Sequence, residues 1–68
     1  MKPGDLVMKR WGRIDPHQQN TAGVIVKEEL IDAPTYPALS GSWILVMYPG
    51  HRPTKYRPSE FEVISENR

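Results

Sequence analysis

The chain has 68 residues and no cysteine. Disulfide staples and cysteine-ligated zinc sites are thereby excluded. Lacking cysteine does not rule out secretion, but it removes the usual stabiliser of a small secreted domain. Met1-Lys2-Pro3-Gly4-Asp5 has no apolar run of the signal-peptide kind. A cytoplasmic location is therefore expected. No apolar run reaches the length of a bilayer span, so no membrane partner is expected. An excess of either charge is also missing. Nine Lys and Arg face eight Asp and Glu, and the net charge of +1 is no nucleic-acid signature by itself. Seven prolines and five glycines leave little room for long helices.

Catalytic patterns are lacking too. Nucleophilic catalysis needs a Ser, Thr or Cys held by a base. Ser40, Ser42, Ser59 and Ser65 lie in turn-like contexts, none of them an elbow motif. The glycines form no phosphate-binding loop. His17 and His51 are the two histidines, and Asp15 lies two residues from His17. A metal needs three or four ligands in a set geometry, which two distant loop histidines do not supply. Solvated loop histidines are the simpler expectation. Glu28, Glu29, Glu60 and Glu62 read as a solvated acidic face. The expectation is a protein without catalytic residues, metal, cofactor or small-molecule substrate.

What the chain does have is one dominant stretch, Gly41 to Gly50. Within it Trp43-Ile44-Leu45-Val46-Met47-Tyr48 is apolar or aromatic throughout and of strand length. Alternation puts Ile44, Val46 and Tyr48 on one face and Trp43, Leu45 and Met47 on the other. Such a strand belongs at the centre of a small sheet. Ahead of it, Leu6-Val7-Met8 is a short strand after a Pro-Gly turn. Lys9 to Thr21 is a long polar excursion. Gly23 to Glu29 is a second strand, which Leu30 to Ala33 extends or ends. Pro34 and Pro37 make Pro34 to Gly41 a loop. After the central strand, Pro49 to Pro53 is a tight connection and Thr54 to Arg57 a polar edge strand. Pro58-Ser59-Glu60-Phe61 reads as one turn of 3₁₀-helix that drops Phe61 into the core. Glu62-Val63-Ile64 is the last strand, and Ser65 to Arg68 is expected to fray.

Five short strands, a long first loop and a one-turn 3₁₀-helix before the last strand predict a single all-β domain over residues 1–68. The order is that of a small five-stranded SH3-like barrel, which closes a sheet on itself. An OB-fold is the competitor, but the helix it usually carries is not evident. Val7, Ile25, Ile44, Val46, Phe61 and Val63 are the expected core.

The segments Gly4-Asp5-Leu6-Val7, Gly23-Val24-Ile25-Val26, Trp43-Ile44-Leu45-Val46 and Phe61-Glu62-Val63-Ile64 carry a resemblance. They are similar to the small SH3-like barrel proteins of marine tailed phages, including cyanophages. The likeness spans most of the chain apart from Trp11–Asn20 and Leu30–Gly41. Phe61 stands where the family tends to have Leu. The resemblance implies a phage origin and a fold, with the host cytoplasm or the virion as location, and brings no activity with it. A looser likeness to the small SH3-like stromal subunit of photosystem I is one of fold only.

Two surfaces remain. Trp43, Leu45 and Met47 make three large apolar residues in a row on an outer face, which soluble monomers rarely leave bare. Leu30, Ile31 and Tyr36 are the expected intrachain cover. Otherwise Trp43, Leu45 and Met47, with Trp11 and Tyr36, form a face for a protein partner or for self-association. The alternative is nucleic acid, held by Arg10, Trp11, Arg13, Lys55, Tyr56 and Arg57, since aromatics flanked by cations hold single strands. Proline-rich ligands are disfavoured, because the first loop is basic. A non-catalytic binding module is the function these features predict.

Overall fold

The computed structural model describes residues 1–67. Five strands follow the chain as β1 (Leu6–Lys9), β2 (Gly23–Ile31), β3 (Gly41–Met47), β4 (Thr54–Tyr56) and β5 (Phe61–Ser65). Between them lie three single turns of 3₁₀-helix, at Pro16–Gln18, Pro37–Leu39 and Pro58–Glu60. Each opens on a proline, whose fixed φ suits the first position of a helical turn. All strand neighbours are antiparallel, in the order β4-β3-β2-β1-β5. This is the expected all-β, five-stranded SH3-like arrangement, with its 3₁₀ turn before the last strand.

β4 and β5 are the two ends of the sheet. Side chains and the third 3₁₀ turn bring them together. Tyr56 on β4 meets Phe61 on β5 edge-on, ring centroids 5.3 Å apart. The Glu60 carbonyl accepts the N–H groups of Arg10 at 2.9 Å and Trp11 at 3.3 Å, which ties the start of the first loop to this closure.

Val7, Ile25, Ile44, Val46, Tyr48 and Phe61 are buried as one cluster, with Val63 and Tyr56 packed against it. The two-residue alternation of β3 therefore points as predicted, and Tyr48 joins the core from just beyond the strand. Burying side chains of this size contributes about 1.5–3 kcal/mol each, so these few residues dominate the stability of so small a domain. Gly23 is needed for the packing. A Cβ there would stand 2.5 Å from Val46 Cγ1 and 3.2 Å from Tyr48 Cζ.

Some expectations change. β2, not β3, is the middle strand of the sheet. It continues to Ile31, with a bulge between Ile25 and Lys27. That extra residue resets the alternation. Glu28 then faces Ile44, and Glu29 faces Trp43. Lys9 belongs to β1 and is buried, so it is no member of the exposed loop. The C-terminal segment does not fray through the described residues. Ser65 pairs with Leu6, and the Asn67 N–H donates to the buried Asp5 carboxylate at 2.7 Å. Arg68 lies outside the described residues.

Candidate functional site

The first loop is anchored by a polar chain that the sequence did not reveal. Gln18 is buried. Its amide nitrogen donates to the Tyr56 hydroxyl at 2.8 Å, and its side-chain oxygen accepts from Asp15 N–H at 2.9 Å. The buried Lys9 ammonium sits 5.0 Å from the Tyr56 ring centroid and 3.8 Å from a Glu60 carboxylate oxygen. Burial of a charge is tolerated when such partners replace water. Lysine is rarely buried, so the sequence reads Lys9 as a solvated cation at the start of the first loop, beside Arg10, Trp11 and Arg13, and not as part of the closure.

The two histidines, expected apart in solvated loops, are stacked. Their ring centroids lie 4.0 Å apart at an interplanar angle of 22°. His17 also meets the Tyr48 ring edge-on at 5.4 Å. Near-parallel rings direct their nitrogen lone pairs along parallel planes, which do not converge on one ion. Among the described residues no group of three or more His, Cys, Asp or Glu side chains is placed to hold a metal ion. The stack joins the first 3₁₀ turn to the β3–β4 connection. Beneath it the Tyr48 hydroxyl is buried without a hydrogen-bond partner. Desolvation, with a smaller contribution from Tyr56, pushes the Tyr48 pKa up to about 12.

The cations proposed for nucleic acid are largely engaged. Arg10 Nε bonds the Glu62 carboxylate at 2.7 Å, and Arg13 Nε bonds Asp15 at 3.1 Å. Lys55 Nζ lies 2.7 Å from Glu29, with Lys27 3.5 Å from the same carboxylate. Lys55 first, then Lys27, holds the Glu29 carboxyl below its ordinary pKa. Tyr56 is half-buried and faces inward. Trp11 is exposed and is the one open aromatic of that set.

Trp43, Leu45 and Met47 do share the outer face of β3; of the expected cover, Ile31 is half-buried on the same face, two residues along β2 from the Glu29 that pairs with Trp43, but Leu30 and Tyr36 do not lie over them. Leu30 is 81% exposed and Tyr36 66% exposed. Arg57 covers Trp43 instead, its Cζ 3.9 Å from the ring centroid. The register explains why. Ile44 pairs with Tyr56, so the next residues outward are Trp43 and Arg57. The guanidinium also donates to the Ser42 and Ala38 carbonyls, capping the stretch of β3 that β4 does not reach.

Leu30, Tyr36 and Leu39, three of the exposed apolar residues, lie on the distal part of the β2–β3 hairpin, whereas Leu6, Val26, Met47 and Ile64 are exposed elsewhere on the strands. The hairpin connection, residues 32–40, is held in shape. Ser40 Oγ accepts from Ala33 N–H at 3.0 Å and donates to the Ala33 carbonyl at 2.9 Å. Trp43 Nε1 donates to the Leu39 carbonyl at 2.9 Å. Tyr36 and Leu39 are displayed outward from this ordered loop, and Leu30 from the strand beside it. A shallow groove on the same hairpin is lined by Met1, Glu28, Leu30, Trp43, Ile44 and Pro58. Trp11 lies elsewhere, at the Glu60 closure.

No helix of the described residues is long and apolar enough to cross a membrane. Compared with protein-family models, with curated proteins and with solved structures, the chain matches none. The molecule is thus defined by its class: a small all-β domain of SH3-like strand order, bearing an extended hairpin.

Proposed function

We propose that this protein is a non-catalytic binding module that docks another protein through the distal part of its β2–β3 hairpin. The carrying observation is the exposure of Leu30 at the end of β2 and of Tyr36 and Leu39 on a loop whose backbone is held by Ser40, Trp43 and Arg57. A pre-ordered apolar surface loses little entropy on binding, which favours protein contacts. Tyr and Trp are also favoured interface anchors. The phage resemblance belongs to the same reading, with a host or virion protein as partner and the host cytoplasm as the site of action. Nucleic acid is the less favoured reading, because Arg10, Arg13 and Lys55 already face carboxylates.

A photo-crosslinking residue at Tyr36, in the cell that makes the protein, tests this. The expected result is a discrete protein adduct that disappears in Leu30→Ser/Leu39→Ser while the melting temperature holds. Light scattering separates self-association from a foreign partner. Absence of any adduct from a protein that stays monomeric at high concentration, together with salt-sensitive oligonucleotide binding, would overturn the reading in favour of nucleic acid.

A further inference from the structure

We propose that the open edge of β2, Lys27–Ile31, accepts an extended segment of the partner protein as an added antiparallel strand. That segment carries an apolar residue opposite Leu30 and a Lys or Arg opposite Glu28. The inference rests on the protein-binding reading above and names the chemistry of its partner.

β2 has nine residues, but β1 pairs with only its start, at Gly23 and Val24. Gly4 N–H to the Ile25 carbonyl at 2.7 Å and Ile25 N–H to the Asp5 carbonyl at 3.0 Å extend this contact by one residue. Beyond the bulge, β3 pairs with one edge of β2 from Lys27 to Ile31. Among the described residues no backbone hydrogen bond reaches the other edge there. In an antiparallel ladder every second residue turns its N–H and C=O to one side. The far edge therefore presents a row of unpaired groups, ready to pair with another strand.

Side chains decide which strand it takes. The bulge puts Glu28 and Leu30 on one face, level with Ile44 and Ser42 of β3. Glu29 on the opposite face is neutralised by Lys55 and Lys27, whereas Glu28 has no ion pair among the described residues. The added strand thus meets one free carboxylate and one bare leucine, two residues apart. Met1, Ile44 and Pro58 line the groove beside them. Because the incoming strand runs antiparallel, its sequence reads apolar, any residue, cation.

A second copy of this edge pairs poorly in the registers centred on its acids. Antiparallel self-pairing centred on the strand sets Glu28 against Glu28, Glu29 against Glu29, or Glu28 against Glu29. Like charges directly opposite one another are destabilising. The acids that oppose a second copy in those registers are the ones that select a cationic strand.

The test uses short capped peptides in which Thr alternates around a Val-Thr-Lys run. A Val-Thr-Glu counterpart and a Val-Thr-Lys peptide N-methylated at alternate backbone nitrogens serve as comparisons. Binding is followed by NMR shifts and amide exchange of the whole protein. The Lys peptide should slow exchange at alternate residues of Lys27–Ile31. The Glu peptide should bind about five- to tenfold more weakly, the size of a reversed cross-strand charge pair. N-methylation should abolish binding. Glu28→Lys, at an exposed position, should leave the melting temperature unchanged and reverse the charge preference. Equal binding of both charges, protection away from Lys27–Ile31, or no binding at millimolar peptide overturns strand addition. If the Tyr36 adduct persists in that event, docking through the hairpin stands without strand pairing. If the adduct is absent too, both fall.

Discussion

The Tyr48 hydroxyl offers the sharpest test of the core. Tyr48 is 3% exposed, and its hydroxyl has no hydrogen-bond partner. An unsatisfied buried hydroxyl costs about 1–3 kcal/mol in desolvation. Tyr48→Phe removes that group and keeps the ring against Gly23, Val46 and His17. A gain of about 1–3 kcal/mol at neutral pH is expected. In a domain this small each kcal/mol moves the melting temperature by about 4–8 °C, so the variant should melt several degrees higher. The alkaline limb adds a second readout. The folded pKa is raised to about 12, above the ordinary 10.0. The stability this contributes is complete below pH 10 and is lost as pH climbs from there through 12. Wild type should therefore lose stability over that span while Tyr48→Phe, with no phenol to ionise, does not, so the advantage of the variant grows between pH 10 and pH 12. Melting curves of both proteins at a series of pH values measure this. A Phe variant that melts lower than wild type at pH 7 would show that the hydroxyl is bonded in solution and would refute the reasoning.

Gln18→Leu removes the donor to Tyr56 and the acceptor for Asp15 N–H, and should destabilise by about 1–3 kcal/mol with faster amide exchange around Asp15; an unchanged melt would detach the first loop from the barrel. Arg57→Lys keeps the charge but loses the flat guanidinium over Trp43 and the paired carbonyl contacts. It should shift Trp emission to the red and cost about 1 kcal/mol, whereas full retention of the spectrum would deny the stack. The Asn67 N–H first, and the Lys2 N–H next, lower the Asp5 pKa from 3.8. That stability is present above pH 3.8 and lost as pH falls through the lowered value, so Asp5→Asn should flatten the acid side of the stability profile; parallel wild-type and variant profiles in acid titrations would contradict the assignment.

Strand alternation was readable wherever burial alone decides which way a side chain points. Ile44, Val46 and Tyr48 show it, as does Val7. Phe61 was readable from the proline-led turn before it. The bulge at Val26 was not, because Val24, Ile25 and Val26 are all apolar and mark no interruption. Missing it misplaces Glu28 and Leu30, and with them the expected cover of Trp43. Arg57 as the cover follows once β3 and β4 are aligned, but alignment is a tertiary fact. The His17–His51 stack joins positions on separate connections, with no local signal. Tyr36 was singled out correctly as a loop aromatic, yet it faces outward, since the Ser40 clasp on Ala33 shapes that loop from within.

The pairing of β1 with β5 also bears on how the chain reaches its fold. β2 and β3 are joined by a short connection and can zip together early. β1 must wait for a strand from the far end, and the Asp5–Asn67 bond spans 62 positions. Loop-closure entropy makes such contacts form late and slowly. Until then Val7 lacks Val63 and Tyr56 lacks Phe61, leaving a strand-shaped gap beside β1. At high concentration during refolding, the β5 of a neighbouring molecule competes with the molecule's own for that gap.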